Sequence, residues 1–234
     1  MVVVLGGVAA LAVSGAVITW WRIGHPRYAQ QALPAGLVSA DSGTGRELLA
    51  GAEAAADYKP LLRWFVPQQK LTWSGPATAT VVLNALRLNE PGPPLRQPQI
   101  LGGLRARWAA SLHGVTFDQL AGLFTAHGAL TTLHYASEDS ESRFRTLTQG
   151  NLADPSDFLV VAFDRGGLHE SGGTQFSPVG AWDRDTDRVL VLDTASFRYP
   201  FTWVRVPDLF EAMEATDDAG RTLGYLVVRR GERR

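Results

Sequence analysis

The 234-residue sequence contains no cysteine. That one absence removes disulfides, thiolate metal sites and a cysteine nucleophile together, and it leaves the redox compartment open. Lysine is almost missing too. Only Lys59 and Lys70 stand against many arginines, a skew that reads as codon bias rather than phosphate binding. Net charge is −1, so no excess of either sign points to nucleic acid or another polyanion, and no nucleic-acid partner is expected. No two histidines have metal-ligand spacing and no carboxylate cluster stands out. Neither a protein-bound metal nor a cofactor is therefore expected. The chain also lacks internal repeats and low-complexity tracts.

A hydrophobic content of 45% is enough for the core of one domain with an appendage. The appendage is N-terminal. Val2 to Trp21 is an uncharged stretch of 20 residues. As a helix it reaches about 30 Å, enough to cross a bilayer. Trp20 and Trp21 suit an interfacial belt, and Arg22 and Arg27 follow. Residues 1–22 are read as a membrane anchor or uncleaved signal, which predicts a membrane-anchored protein with a single N-terminal span. A cleaved signal peptide is the rival reading, and a buried core helix the third. Residues 23–56, rich in Ala, Gly and Ser, are expected to be a tether with one short helix from Glu47 to Ala56. Residues 57–234 are the domain.

The domain is organised around Gln68 to Leu86, QQKLTWSGPATATVVLNAL. Ala79, Val82, Leu83 and Leu86 fall on one face of a helix. Ser74 stands where a side chain would cap that helix, and Pro76 suits its first turn. A hydroxyl there meets unpaired N–H groups and the positive end of the macrodipole. That suits a nucleophile and its oxyanion, but capping serines are common, and on the residues alone an ordinary cap is the favoured reading. Gln68, on composition alone, is a surface glutamine.

Downstream, Thr116 and Gln119 form a capping box ahead of Leu120, Leu123 and Phe124, and Gly128 stops that helix. The spacing predicts a strand over 130–135, a helix over 141–149 and a helix over 207–215. Phe158 to Phe163 is a continuous apolar run of strand length, read as a buried central strand. Residues 175–182 and 188–193 are strands joined by the polar turn Asp183 to Asp187, and 224–229 is a closing strand. Arg63 to Val66 is read as a short extended run, and residues 95–112 are poorly patterned. Helices first and antiparallel strands after give an α+β domain.

The segment Gln68, five residues, Ser74-Gly75, then Val82-Leu83-Asn84-Ala85-Leu86 resembles the nucleophile region of the phytochelatin synthases. Those are papain-like enzymes that cut glycine from glutathione and pass on the γ-glutamylcysteinyl group. In the family a Cys-Gly stands at Ser74-Gly75. Gly173-Thr174-Gln175-Phe176-Ser177-Pro178 resembles the family's base segment, in which a histidine precedes Phe-Ser-Pro; Gln175 holds that place. Leu190 to Asp193 resembles the segment carrying the orienting acid, and Asp193 is present. The family then has an arginine that helps bind substrate carboxylates, replaced by Ser196, while Tyr199-Pro200 is kept.

The resemblance covers roughly residues 63 to 229 and implies a papain-like fold. It implies Ser74 at the nucleophile position, Gln175 at the base position, Asp193 as the orienting acid and Gln68 at the oxyanion hole. It places Gly75, Ser196 and Tyr199 at the substrate. It further implies a glutathione-like peptide as ligand, with cadmium or zinc entering as glutathione thiolates rather than as a cofactor. A glutamine cannot take up a proton near neutral pH, and a serine without a base is a poor nucleophile. The expectation is an inactive or severely impaired homologue; an active Ser74-dependent amidase or acyltransferase, with His169 as the nearest histidine in sequence, is the alternative. Orientation stays open between cytoplasm and periplasm, because the arginines after the span favour the first and exported relatives the second.

Overall fold

A computed structural model describes residues 26–87, 92–217 and 219–231. Eight helices and seven strands lie among them: β1 (Val38–Ser39), α1 (Gly43–Gly51), α2 (Tyr58–Trp64), α3 (Ser74–Leu86), α4 (Gln97–Ile100), α5 (Leu104–His113), α6 (Phe117–Ala126), β2 (Ala129–Tyr135), α7 (Glu141–Leu152), β3 (Asp157–Asp164), β4 (Thr174–Asp183), β5 (Arg188–Val191), β6 (Thr202–Arg205), α8 (Val206–Met213) and β7 (Gly224–Arg230). The strands form one sheet in the order β1-β6-β5-β4-β3-β7-β2, antiparallel at every pairing.

The apolar run in β3 follows from helices covering both faces of this sheet. Successive side chains of a strand point to opposite faces. Phe158, Val160 and Ala162 join the core under α3 and α6, with Leu83, Leu120 and Phe124. Leu159, Val161 and Phe163 join the second core under α7 and α8, with Phe144, Leu152 and Leu209. β7 alternates in the same way, Leu226 and Val228 against Tyr225 and Val227. The result is an α+β, papain-like arrangement, with the helical half leading into an antiparallel sheet.

The apolar stripe of α3 understates its burial. All thirteen residues of this helix are buried, its polar ones included. Thr78, Thr80 and Asn84 are tolerated there because their side-chain groups are satisfied. Thr80 Oγ1 donates to the Pro76 carbonyl at 2.7 Å. Asn84 donates to the Leu95 carbonyl at 3.0 Å and accepts the Leu95 N–H at 2.8 Å. Thr78 Oγ1 donates to the Phe176 carbonyl at 2.9 Å, pinning the first turns of α3 to β4.

Other expectations shift locally. Arg63 and Trp64 complete helix α2 rather than an extended run, since Leu61 faces the core and the chain turns extended only at Phe65. Residues 97–100 and 104–113, without clear periodicity, are helices; α5 buries only Ala110, so no apolar stripe was required. The stretch read as a tether lies on the domain: β1 pairs with β6, and Ala29 and Gln31 donate N–H groups to Phe197 and Arg198 carbonyls. The short helix within it runs from Gly43 to Gly51 under a Ser42 cap.

The expected membrane-anchored localisation is corrected. No helix of the described residues is long and apolar enough to cross a membrane. The longest, α3, has 13 residues, about 20 Å of rise against a hydrocarbon core of about 30 Å. The proposed span, Val2 to Trp21, lies outside the described residues.

Candidate active site

Ser74 is the first residue of α3, not its cap. Trp73 occupies the N-cap and supplies no side-chain bond, so the Ser74 hydroxyl is not spent on capping. Ser74 is buried at 6% exposure. Gly75 behind it is in tight contact: a Cβ there would lie 2.4 Å from Val115 Cγ2 and 3.5 Å from Phe176. Side chains of the loop ahead of α6 and of β4 thus close on the helix start.

Gln68 precedes this turn and is 3% exposed. Its backbone N–H donates to the Thr194 carbonyl at 2.9 Å. Its amide nitrogen donates to the Lys70 and Leu71 carbonyls at 3.0 and 2.9 Å. The amide orientation is fixed, because a flip would set its oxygen against two carbonyls. Its Oε1 accepts from Thr194 Oγ1 at 3.4 Å.

Gln175, on β4, is buried and reaches the same threonine. Its Nε2 lies 3.0 Å from Thr194 Oγ1 and 3.0 Å from Asp193 Oδ1, with longer contacts to the Phe176 carbonyl and Ser177 Oγ. Asp193 also accepts the Ala195 N–H at 2.8 Å. Gln68, Thr194, Gln175 and Asp193 therefore form one connected network at the head of α3.

Arg165 completes it from below. It follows β3, in a 3₁₀ turn over Arg165–Leu168 capped by Asp164. Its Nη2 donates to both Asp193 oxygens, at 2.9 and 2.6 Å, and its Nη1 pairs with Glu170. All three side chains are buried. One guanidinium faces two carboxylates. Burial, with the Asp193 charge beside it, pushes the Glu170 carboxyl up to about 7 despite the pull of Arg165. Burial works against the Arg165 charge too, but its two carboxylates win and hold it above the ordinary arginine range.

Tyr199 lies against Arg165, whose guanidinium stands 5.1 Å from the ring centroid. The Tyr199 hydroxyl donates to Gln31 Oε1 at 2.7 Å and accepts the Ser171 N–H at 2.8 Å. Ser196 is half-buried in the turn after Asp193. Arg165, Glu170 and Thr194 were not singled out from the sequence. Arg165 and Asp193 are 28 positions apart, and nothing local to either signals the pair.

None of the described histidines is hydrogen-bonded to Ser74, Gln175 or Asp193. His169 is exposed, in a left-handed conformation with φ of 59°. His127 Nδ1 lies 2.9 Å from the Leu123 carbonyl. His134 stacks on Tyr225, with Asp139 3.4 Å away. His113 ends α5. Two clefts flank α5 beside the helix start. One, of about 540 Å³, is lined by Lys70, Trp73, Arg107 and Trp108; the other, of about 550 Å³, by Leu101, Ala109, His113, Val115 and Leu123. Among the described residues no group of three or more His, Cys, Asp or Glu side chains is placed to hold a metal ion.

A family model described as phytochelatin synthase matches residues 28–225. The chain belongs to the phytochelatin synthase family. A relative from Lotus japonicus, named glutathione gamma-glutamylcysteinyltransferase 3, is 31% identical over 175 residues, 72% of this chain and 36% of its own length. One from Arabidopsis thaliana, named glutathione gamma-glutamylcysteinyltransferase 1, is 27% identical over 180 residues, 74% of this chain and 37% of its own. One from Schizosaccharomyces pombe, named glutathione gamma-glutamylcysteinyltransferase, is 25% identical over 224 residues, 91% of this chain and 54% of its own. The chain thus spans between about a third and just over half the length of these phytochelatin synthase relatives.

Proposed function

We propose that this member of the phytochelatin synthase family keeps a cleft for a glutathione-like γ-glutamyl peptide and has lost, or nearly lost, acyl transfer. In this reading Ser74 stands at the nucleophile position, Gln175 at the base position, Asp193 at the orienting position and Gln68 at the oxyanion-hole position, where both of its amide N–H groups are spent on the Lys70 and Leu71 carbonyls and none is left for an oxyanion. The observation that carries it is the hydrogen bonding of Gln175. Its amide N–H groups are directed to Asp193 and Thr194, which leaves its carbonyl oxygen as the group that can face a ligand. That oxygen accepts hydrogen bonds but does not take up a proton near neutral pH. Catalysis at a serine needs a base to deprotonate the hydroxyl. In a serine protease, removing either the nucleophile or the base costs about a million-fold in turnover.

Asp193 supports the same reading. An orienting carboxylate works by holding an imidazole in place. Here it is matched by Arg165 and by a neutral amide, a stable arrangement with no titrating partner at the centre. Ser196, in place of an arginine, removes a cation from the substrate side, so binding of glutathione itself is expected to be weak.

The test is glycine release from glutathione by the full chain, with and without cadmium or zinc, alongside calorimetric binding. Binding without release supports the proposal. Release that disappears in Ser74→Ala overturns it and makes the chain a serine-dependent acyltransferase.

A further inference from the structure

We propose that Asp57, Thr148 and Asn151 form a buried binding site for a monovalent metal cation, potassium or sodium, between the start of α2 and the end of α7. Asp57 immediately precedes α2, where an aspartate ordinarily accepts a hydrogen bond from the helix's first N–H groups. It makes no such bond. It is fully buried, and neither carboxyl oxygen has a partner among the described residues. Thr148 Oγ1 and Asn151 Oδ1 are likewise buried and unpartnered.

Topology brings the helix face that carries Thr148 and Asn151 up to Asp57. Thr148, Asn151 and Leu152 are spaced i, i+3 and i+4 on α7 and share one face. The Leu152 carbonyl on that face accepts the Ala56 N–H at 2.9 Å, which brings Asp57 against the helix end. The Asn151 amide nitrogen is committed to Asp157 Oδ1 at 2.6 Å, so its oxygen is turned the other way. Burial, and the charges of Asp157 and Asp154, push the Asp57 carboxyl up to about 9. Arg229 neutralises Asp157 only at 4.0 Å.

Unmet acceptors, a local excess of acid and a helix C-terminus all favour a positive ion. The donors are hard oxygens, which do not suit zinc, and the set holds one carboxylate with two neutral groups, so its charge balances a monovalent ion and not calcium or magnesium. A cleft of about 240 Å³, lined by Gly150, Asn151, Asp154 and Asp157 among others, adjoins the Asn151 side of the site.

The experiment is thermal unfolding of the full chain in potassium, sodium and choline chloride at matched ionic strength. The melting temperature is expected to rise by about 5 °C between 1 and 100 mM potassium or sodium relative to choline. In Asp57→Asn, an isostere that retains the fold, the rise is lost, and in Thr148→Val it is reduced. Crystals soaked in rubidium chloride are expected to show an anomalous peak between Asp57, Thr148 and Asn151. Identical melting in all three salts, a rise that survives Asp57→Asn, or no peak at that place overturns the proposal and leaves a proton or a buried water as the partner of Asp57.

Discussion

Arg165 grips Asp193 with one nitrogen on both carboxylate oxygens, at 2.9 and 2.6 Å, while Gln175 holds one of the same oxygens from the other side at 3.0 Å. The pair is buried, and removing one partner of a buried ion pair strands the other. Arg165→Met is therefore expected to cost about 3–5 kcal/mol, because Asp193 and Glu170 are left as two uncompensated buried acids. The double variant Arg165→Met with Asp193→Asn is expected to recover part of that loss. Urea unfolding of the two variants beside the parent measures both numbers, and equal stabilities of parent and Arg165→Met would contradict this account.

Glu170 gives the same cluster a pH signature. Its folded carboxyl lies at about 7, above the ordinary 4.5. Between those values the folded state holds more protons than the unfolded state, so stability falls as pH rises, and the fall is complete above about 7. The slope is at most about 1.4 kcal/mol per pH unit for one group. Glu170→Gln, which mimics the protonated acid, is expected to remove that slope. Melting curves from pH 4.5 to 8 for parent and variant are to be subtracted; a difference that does not change with pH would show that Glu170 is ionised throughout.

Much of this architecture is legible in the sequence, and the reasons differ by element. β3 was readable because burial on both faces leaves a run without polar interruption. The Thr116–Gln119 box was readable because both bonds are local, at 2.9 and 3.2 Å. α5 was not, since a helix burying one residue in ten carries no stripe. Ser74, Gln175 and Asp193 are singled out in the sequence only through the spacing of family motifs. Arg165 was hidden because an ion pair across 28 positions leaves no periodic mark, and Thr194 because a lone threonine is chemically unremarkable until its partners are known.

Close packing at the head of α3 sets a steric prediction. A methyl group at position 75 meets Val115 Cγ2 at 2.4 Å, well inside contact distance. Gly75→Ala is expected to destabilise by about 1–3 kcal/mol through overpacking, despite alanine's better helix propensity. Val115→Ala in the same chain opens the space, so the two changes should couple favourably, by about 1 kcal/mol or more. A double-mutant cycle by chemical unfolding gives the coupling directly, and simple additivity would mean that Val115 turns aside without cost.

If acyl transfer was lost at two positions and nowhere else, it should return when both are restored. Ser74→Cys alone supplies a thiol with some thiolate at neutral pH but no base to activate it further. Gln175→His alone supplies a base to a serine hydroxyl, a weaker nucleophile than a thiol. The double variant sets a thiol at the start of a buried helix and an imidazole within reach of Asp193, because Gln175 already contacts that carboxylate. Arg165 competes for the same oxygens and should weaken the orientation of the new imidazole without abolishing it. Glycine release from glutathione is expected from the double variant at a rate at least about a hundredfold above either single change, since nucleophile and base act as a unit. Silence in a folded double variant would locate the loss elsewhere, with Ser196→Arg the next position to restore.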